Sequence, residues 1–294
     1  MATESAHVPD RAAGTARRIV GMVTHGPVNV FLTIVALLWL VPTVGLFIAS
    51  LRTAVDNSES GWWTALLHPA QLTLQSYKNV LDNPDMVRSF WNTVLITVPA
   101  SILVVVVAAL AAYAFAWIPF RGRDWTFIVI VALLVVPIQI ALIPVARLYD
   151  IVGLFGTIPG VVLFHVAFGL PFAIFLLRNF FIAIPSELLE AARMDGAGEF
   201  MVFRRVVLPL GLPAIASLLI FQFMWVWNDL LVALVFASSS TQPLTVAIRE
   251  QLRSFGSNID VIAPAAFLQL VIPLIVFFAF QRYFVQGLLA GSQR

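Results

Sequence analysis

Six apolar runs constrain this chain more than any other feature, because each is about as long as the roughly 20 residues a helix needs to cross hydrocarbon. They cover residues 29–51, 93–118, 125–146, 158–177, 212–237 and 261–284. Inside a bilayer no water is available to satisfy backbone N–H and C=O groups, so runs of this length are predicted to be helices. Composition points to the same class: 61% of the 294 residues are hydrophobic and 11% are charged, where soluble domains carry about 25% charge. The expected fold is all-α, a polytopic membrane protein with six transmembrane helices in a lipid bilayer. Residues 1–28 read as a polar N-terminal tail, 29–289 as the membrane domain and 290–294 as a short C-terminal tail.

The same sequence removes several kinds of chemistry. Cysteine is absent, so disulfides and thiolate metal sites are excluded. His7, His25, His68 and His165 are too scattered for a zinc site. Lys78 is the only lysine, which rules out a phosphate-binding loop of the form GxxxxGK[ST]. No cofactor, metal or nucleic acid is expected on this chain, and ATP, if it drives the protein, must be bound by another.

The apolar runs carry internal breaks. Pro137, Gln139 and Pro144 interrupt the third, His165, Gly169 and Pro171 the fourth, and Gln269 and Pro273 the sixth. Neighbouring helices can satisfy the backbone groups that such breaks free, which suits a bundle that flexes around a pathway. Gln139, His165 and Gln269 read as interhelical hydrogen-bonding groups. Asp229 is the one acid well inside a run, and an ionisable group at that depth marks a candidate functional site. Spacing of i, i+3 and i+7 sets Gln222, Trp225 and Asp229 on one helical face, with Asn228 beside them. An aromatic wall with amide and carboxylate groups would suit a sugar. Packing, or pairing with a neighbouring subunit, accounts for the same residues and stays open.

Two polar intervals flank these runs. In 52–91, Trp62 and Trp63 read as interfacial anchors. In 238–260, Leu244, Ile248, Leu252 and Phe255 mark one face of a short surface helix.

A third interval, from Pro185 to Pro213, has more structure. It reads PSELLEAARMDGAGEFMVFRRVVLPLGLP and carries seven charges, each costing roughly 2.5–3.5 kcal/mol at a bilayer centre. It is therefore an aqueous loop. Pro185 and Ser186 suit a helix start, and Glu187 and Glu190 fall where a helix dipole favours anions. Leu188, Ala191 and Ala192 share a nearly flat face. Gly196 and Gly198 should end this first helix. A second helix, with Phe200, Phe203, Val206 and Val207 on one side, should stop at Pro209. The result is a small-faced hook suited to a cleft on another protein.

Glu190-Ala191-Ala192, Gly196 and Val206-x-Leu208-Pro209 together resemble the EAA loop of ABC-importer permeases, with Val206 where the pattern has Ile. The fuller EAARMDGAG…VVLP resembles the carbohydrate subset, relatives of the second permease subunit of maltose and α-glucoside transporters. The resemblance extends from about the first span to the C-terminus. It implies a non-catalytic permease subunit in a prokaryotic cytoplasmic membrane, half of a heterodimeric pathway completed by a second permease. Further implied partners are two copies of a cytoplasmic ATPase holding ATP and Mg, an extracytoplasmic sugar-binding protein, and a sugar or oligosaccharide. Within the coupling loop 185–209, the implied ATPase-coupling residues are Glu190, Ala191, Ala192, Asp195, Gly196, Ala197, Leu208 and Pro209. WND at 227–229 also matches the carbohydrate-permease pattern. The GLLAG tail resembles the family ending but stops at SQR.

Charge sets an orientation independently. With the N-terminus inside, 11 of the 17 basic residues fall on the cytoplasmic side, leaving Arg52, Lys78, Arg88, Arg147, Arg249 and Arg253 outside. The positive-inside rule thus places both termini and the EAA-like loop in the cytoplasm. Two other functions fit a polytopic chain: a secondary solute carrier, and an importer of the same architecture for a non-sugar solute such as a glycerophosphodiester. Against the carrier stands the lack of an ion-coupling cluster, with a single intramembrane acid.

Overall fold

The computed structural model describes the backbone of residues 11–253 and 258–292 and the side chains of residues 26–252 and 258–281. A long helix, Arg11–Ser50 (α1), opens the chain. Three short pieces follow on one side of the bundle: Ala54–Glu59 (α2), a pair of 3-10 turns at Trp62–Leu66 and Pro69–Gln71, and Gln75–Leu81 (α3). The bundle continues with Pro84–Trp117 (α4), Arg123–Leu133 (α5), Ile138–Ile151 (α6) and Ile158–Ile182 (α7). Ser186–Met194 (α8) and Glu199–Val202 (α9) lead through a π-helical turn, Phe203–Val207, into Leu208–Trp227 (α10). Leu231–Phe236 (α11), Leu244–Arg253 (α12) and Ile259–Ser292 (α13) complete the order.

Among the described residues, five helices are long and apolar enough to cross a membrane, and α5 with α6 make a sixth span if counted as one. That third span departs from the expected continuous helix over 125–146: its halves are bent by 100°. The cause is local. Pro137 is extended and sits at the head of α6, where its missing N–H and ring end the helix before it. Helix α1 begins at Arg11, within the expected N-terminal tail, and runs into the first span without a break.

The core forms where α4, α7 and α10 meet. Ala100, Val104, Ala108 and Ala112 recur every fourth residue on α4, and all are fully buried. This stripe of small side chains lets another helix approach closely. Ala173, Leu177 and Phe181 of α7, again at i+4 spacing and fully buried, line the same core. Gly211 on α10 lies so near Phe181 that a Cβ there would sit 2.6 Å from the ring.

A different principle holds the 52–83 segment together. Arg52 is fully buried and donates to Asn57 Oδ1, Ser60 O, Asp56 O, Ser60 Oγ and Thr64 Oγ1 over 2.6–3.3 Å. Five oxygens around one delocalised cation make it the hub of this fold. Of the two expected anchors, Trp62 packs on α1, where a Cβ at Gly45 would lie 2.8 Å from its Nε1, and Trp63 stays exposed.

Candidate functional site: a hook and a helix break

The 185–209 segment folds largely as its residues dictate. Pro185 precedes the first turn of α8, Glu187 lies in that turn and Arg193 in the last, each favourable to the helix dipole. The C-terminus closes as a Schellman motif. Gly196 takes φ +84°, its N–H reaches Arg193 O, and the Ala197 N–H reaches Ala192 O, both at 3.0 Å. Only a residue without Cβ adopts that backbone readily.

One side of α8 is sealed and the other is open. Leu189 is fully buried in the core formed by α4, α7 and α10. Ala192 and Ala197 pack partly against that core. Glu190 and Ala191 are exposed, as is Leu188, and Met194 is 89% exposed. An apolar strip on a charged loop is the kind of surface a protein partner covers.

The second half of the loop corrects two expectations. Pro209 does not stop a helix: Glu199 to Trp227 is one continuous helical run. The five-residue π turn makes this possible, because the Leu208 N–H reaches back to Phe203 O. The wider turn relieves the clash and missing donor that a proline otherwise brings. Leu208 and Pro209 therefore open the membrane helix rather than close the hook. Phe200, expected on the same side as Phe203 and Val207, is exposed, whereas those two are buried.

Glu199 joins three elements. Its carboxylate accepts from Arg193 Nε at 3.0 Å and Arg193 Nη2 at 3.2 Å, and from the Tyr113 hydroxyl of α4 at 2.5 Å. The hydrogen bond to Glu199 raises the Arg193 pKa. Sequence reasoning missed this joint and the Arg52 hub. A lone tyrosine late in an apolar run was the available signal, since a buried phenol normally finds a polar partner.

The residues expected along a pathway are split. Helix α10 ends at Trp227, so Asp229 is not on its face with Gln222 and Trp225. Instead Asp229 caps α11, accepting from the Val232 N–H at 3.2 Å and the Ala233 N–H at 3.0 Å. Short carboxylates compete for backbone donors in this way and favour helix starts over interiors. Its Oδ2 also lies 3.6 Å from His165 Nε2. The His165 ring stands edge-on to Trp225, with centroids 5.3 Å apart. Gln222 is buried against Gly169, where a Cβ would lie 2.8 Å from its Nε2. Trp225 and Asn228 remain on the surface.

The other expected interhelical groups divide too. Gln269 binds across helices as expected: its Nε2 donates to Trp227 O at 2.8 Å, while Trp227 Nε1 donates to Gln269 O at 3.0 Å. Gln139 instead lies exposed in the bend of the third span. In the 244–253 helix Leu244 is buried and Leu252 exposed, and Phe255 lies outside the described residues.

The described residues thus form a bundle of membrane-crossing helices with one well-formed, partly apolar hook. Residues 104–289 match the family described as binding-protein-dependent transport system inner membrane component, and the chain belongs to that family. It is 46% identical over 271 residues to the osmoprotective compounds uptake permease protein GgtD of Synechocystis, covering 90% of this chain and 91% of that one. It is 48% identical over 231 residues to the alpha-glucoside transport system permease protein AglG of Rhizobium meliloti, covering 76% of this chain and 61% of that one. Among solved structures, a chain of a bacterial ABC transporter that imports alginate superposes with a TM-score of 0.74 at 23% identity, covering 95% of this chain and all of the other. The protein is accordingly a multi-pass inner-membrane permease subunit, non-catalytic like its family.

Proposed function

We propose that this chain forms one half of the translocation pathway of an ATP-driven importer for small sugars, with α-linked glucosides as the substrate class. The single observation that carries the reading is the hook. Its buried Leu189 and its Schellman closure make it a stiff projection, and its Leu188, Ala191 and Met194 edge is free to enter a partner's cleft. ATP and Mg belong to that partner, a cytoplasmic ATPase present in two copies, and the helices deliver the closure of the ATPase dimer into the bundle as rigid-body motion. Glu190, Ala191, Ala192, Asp195, Gly196 and Ala197 form or shape the docking surface. Leu208 and Pro209 set the start of the membrane helix that the hook drives. Both termini and the hook lie in the cytoplasm, and residues 238–260 face an extracytoplasmic sugar-binding protein. Trp225 and Asn228, being exposed, line the path beside a second permease subunit, while Gln222 and Asp229 shape it from behind.

The substrate class is supported by the alpha-glucoside permease among the relatives. The test is uptake of labelled maltose and trehalose in cells with this chain deleted and restored. Restored uptake should survive a proton ionophore and stop when cellular ATP is depleted. Uptake that collapses with the proton gradient while ATP is maintained would identify a secondary carrier instead.

A further inference from the structure

Helix α4 is fastened at both of its ends to segments that the chain itself does not place next to it. Near its C-terminal end, the Tyr113 hydroxyl donates to Glu199, which Arg193 of the hook grips from the other side. The Tyr113 ring also packs on Phe203, with centroids 5.3 Å apart. Near its N-terminal end, Asn92 Nδ2 donates to Ser240 O at 3.0 Å and Gln242 O at 3.1 Å. One residue on, Thr93 Oγ1 accepts from the Leu244 N–H at 2.8 Å. Asn92, Thr93 and Tyr113 are all buried. Between the two attachments α4 is unbroken, a rod of about 32 Å at 1.5 Å per residue. Pro99 lies within it without ending it.

Covalently, the hook is continuous with α7 and α10, and α4 reaches it only through side chains. We propose that α4 is a strut that ties the coupling hook to the 240–244 segment on the opposite side of the membrane. Tyr113 and Asn92 are the positioning residues at its two joints. A displacement of the hook then moves the far segment, and a partner seated on the far segment biases the hook in return, as linkage requires. The strut acts within the importer proposed above, where the far segment faces the binding protein.

The test uses the whole importer in nanodiscs and measures the stimulation of ATP hydrolysis by maltose-loaded or trehalose-loaded binding protein. Tyr113→Phe keeps the ring against Phe203 and removes the hydroxyl. Asn92→Leu keeps the shape and removes both donors, and Thr93→Val is the milder alternative if Asn92→Leu does not assemble. Each single change should drop the stimulated rate to the basal rate while basal hydrolysis persists. The Tyr113→Phe/Asn92→Leu double variant should be no worse than either, because both cut one connection. Stimulation that survives either single change, or losses that multiply in the double, would overturn the strut and leave the importer reading standing. Absence of ATP hydrolysis in the parent complex with every candidate ATPase would remove both.

Discussion

The hook at 186–198 and the break at 228–230 are both places where a helix stops and the chain turns, yet they treat their polar groups in opposite ways. At the hook the turn is closed by backbone bonds, and the neighbouring Glu199 takes three donors from two elements. Around the break, buried Thr97 Oγ1, His165 Nδ1 and Gln222 Nε2 are left without a protein partner. Thr97, His165 and Asp229 border a cavity of about 10 Å³, room for a single water. A satisfied polar joint resists rearrangement. A partly satisfied one, where each orphaned group costs about 1–3 kcal/mol, has less to lose by moving. The two regions thus differ in how fully their polar groups are paired within the chain.

Breaking that contrast at the hook should have the largest effect. Met194→Glu adds a charge to the exposed strip and should cut uptake about tenfold, equivalent to about 1.4 kcal/mol of docking energy. As Met194 is 89% exposed, thermal stability should change by no more than about 0.5 kcal/mol. ATPase copurification with the permease checks this directly.

Substitutions at the break sharpen the comparison with smaller effects. Asp229→Ala removes the cap of α11 and should lower stability by about 1–2 kcal/mol, read as an earlier melting transition. Gln222→Leu, which replaces a buried amide whose Nε2 has no protein partner, should be neutral within about 1 kcal/mol or slightly stabilising. A large loss at Gln222 alone would mean that the region is well satisfied, and the contrast with the hook would fail.

Much of the hook was legible because its signals are local. Proline before serine, acids in the first turn and a glycine at the left-handed position each act within a few residues, and helix α8 formed where they point. The break was less legible because two local rules conflict there. Apolar periodicity continues from 212 through 237, while Asn228 and Asp229 favour a cap, and the cap prevails. Pro209 misled for a related reason: a proline ends an α-helix, but a π turn just before it lets the helix continue. The joints of α4 were illegible. Tyr113 and Glu199 are far apart in sequence, as are Asn92 and Ser240, and no periodicity pairs them. Arg52 likewise reads as one of several loop charges until folding surrounds it with oxygens.

The absence of native cysteine makes the central claim, that the hook docks on an ATPase, directly testable. A single cysteine at Ala197 is paired with one in the docking cleft of each candidate ATPase, and crosslinking is followed in membranes with and without nucleotide. The account predicts a crosslink to one ATPase whose yield changes when ATP binds. No crosslink to any candidate, together with uptake that persists when all of them are deleted, would contradict it.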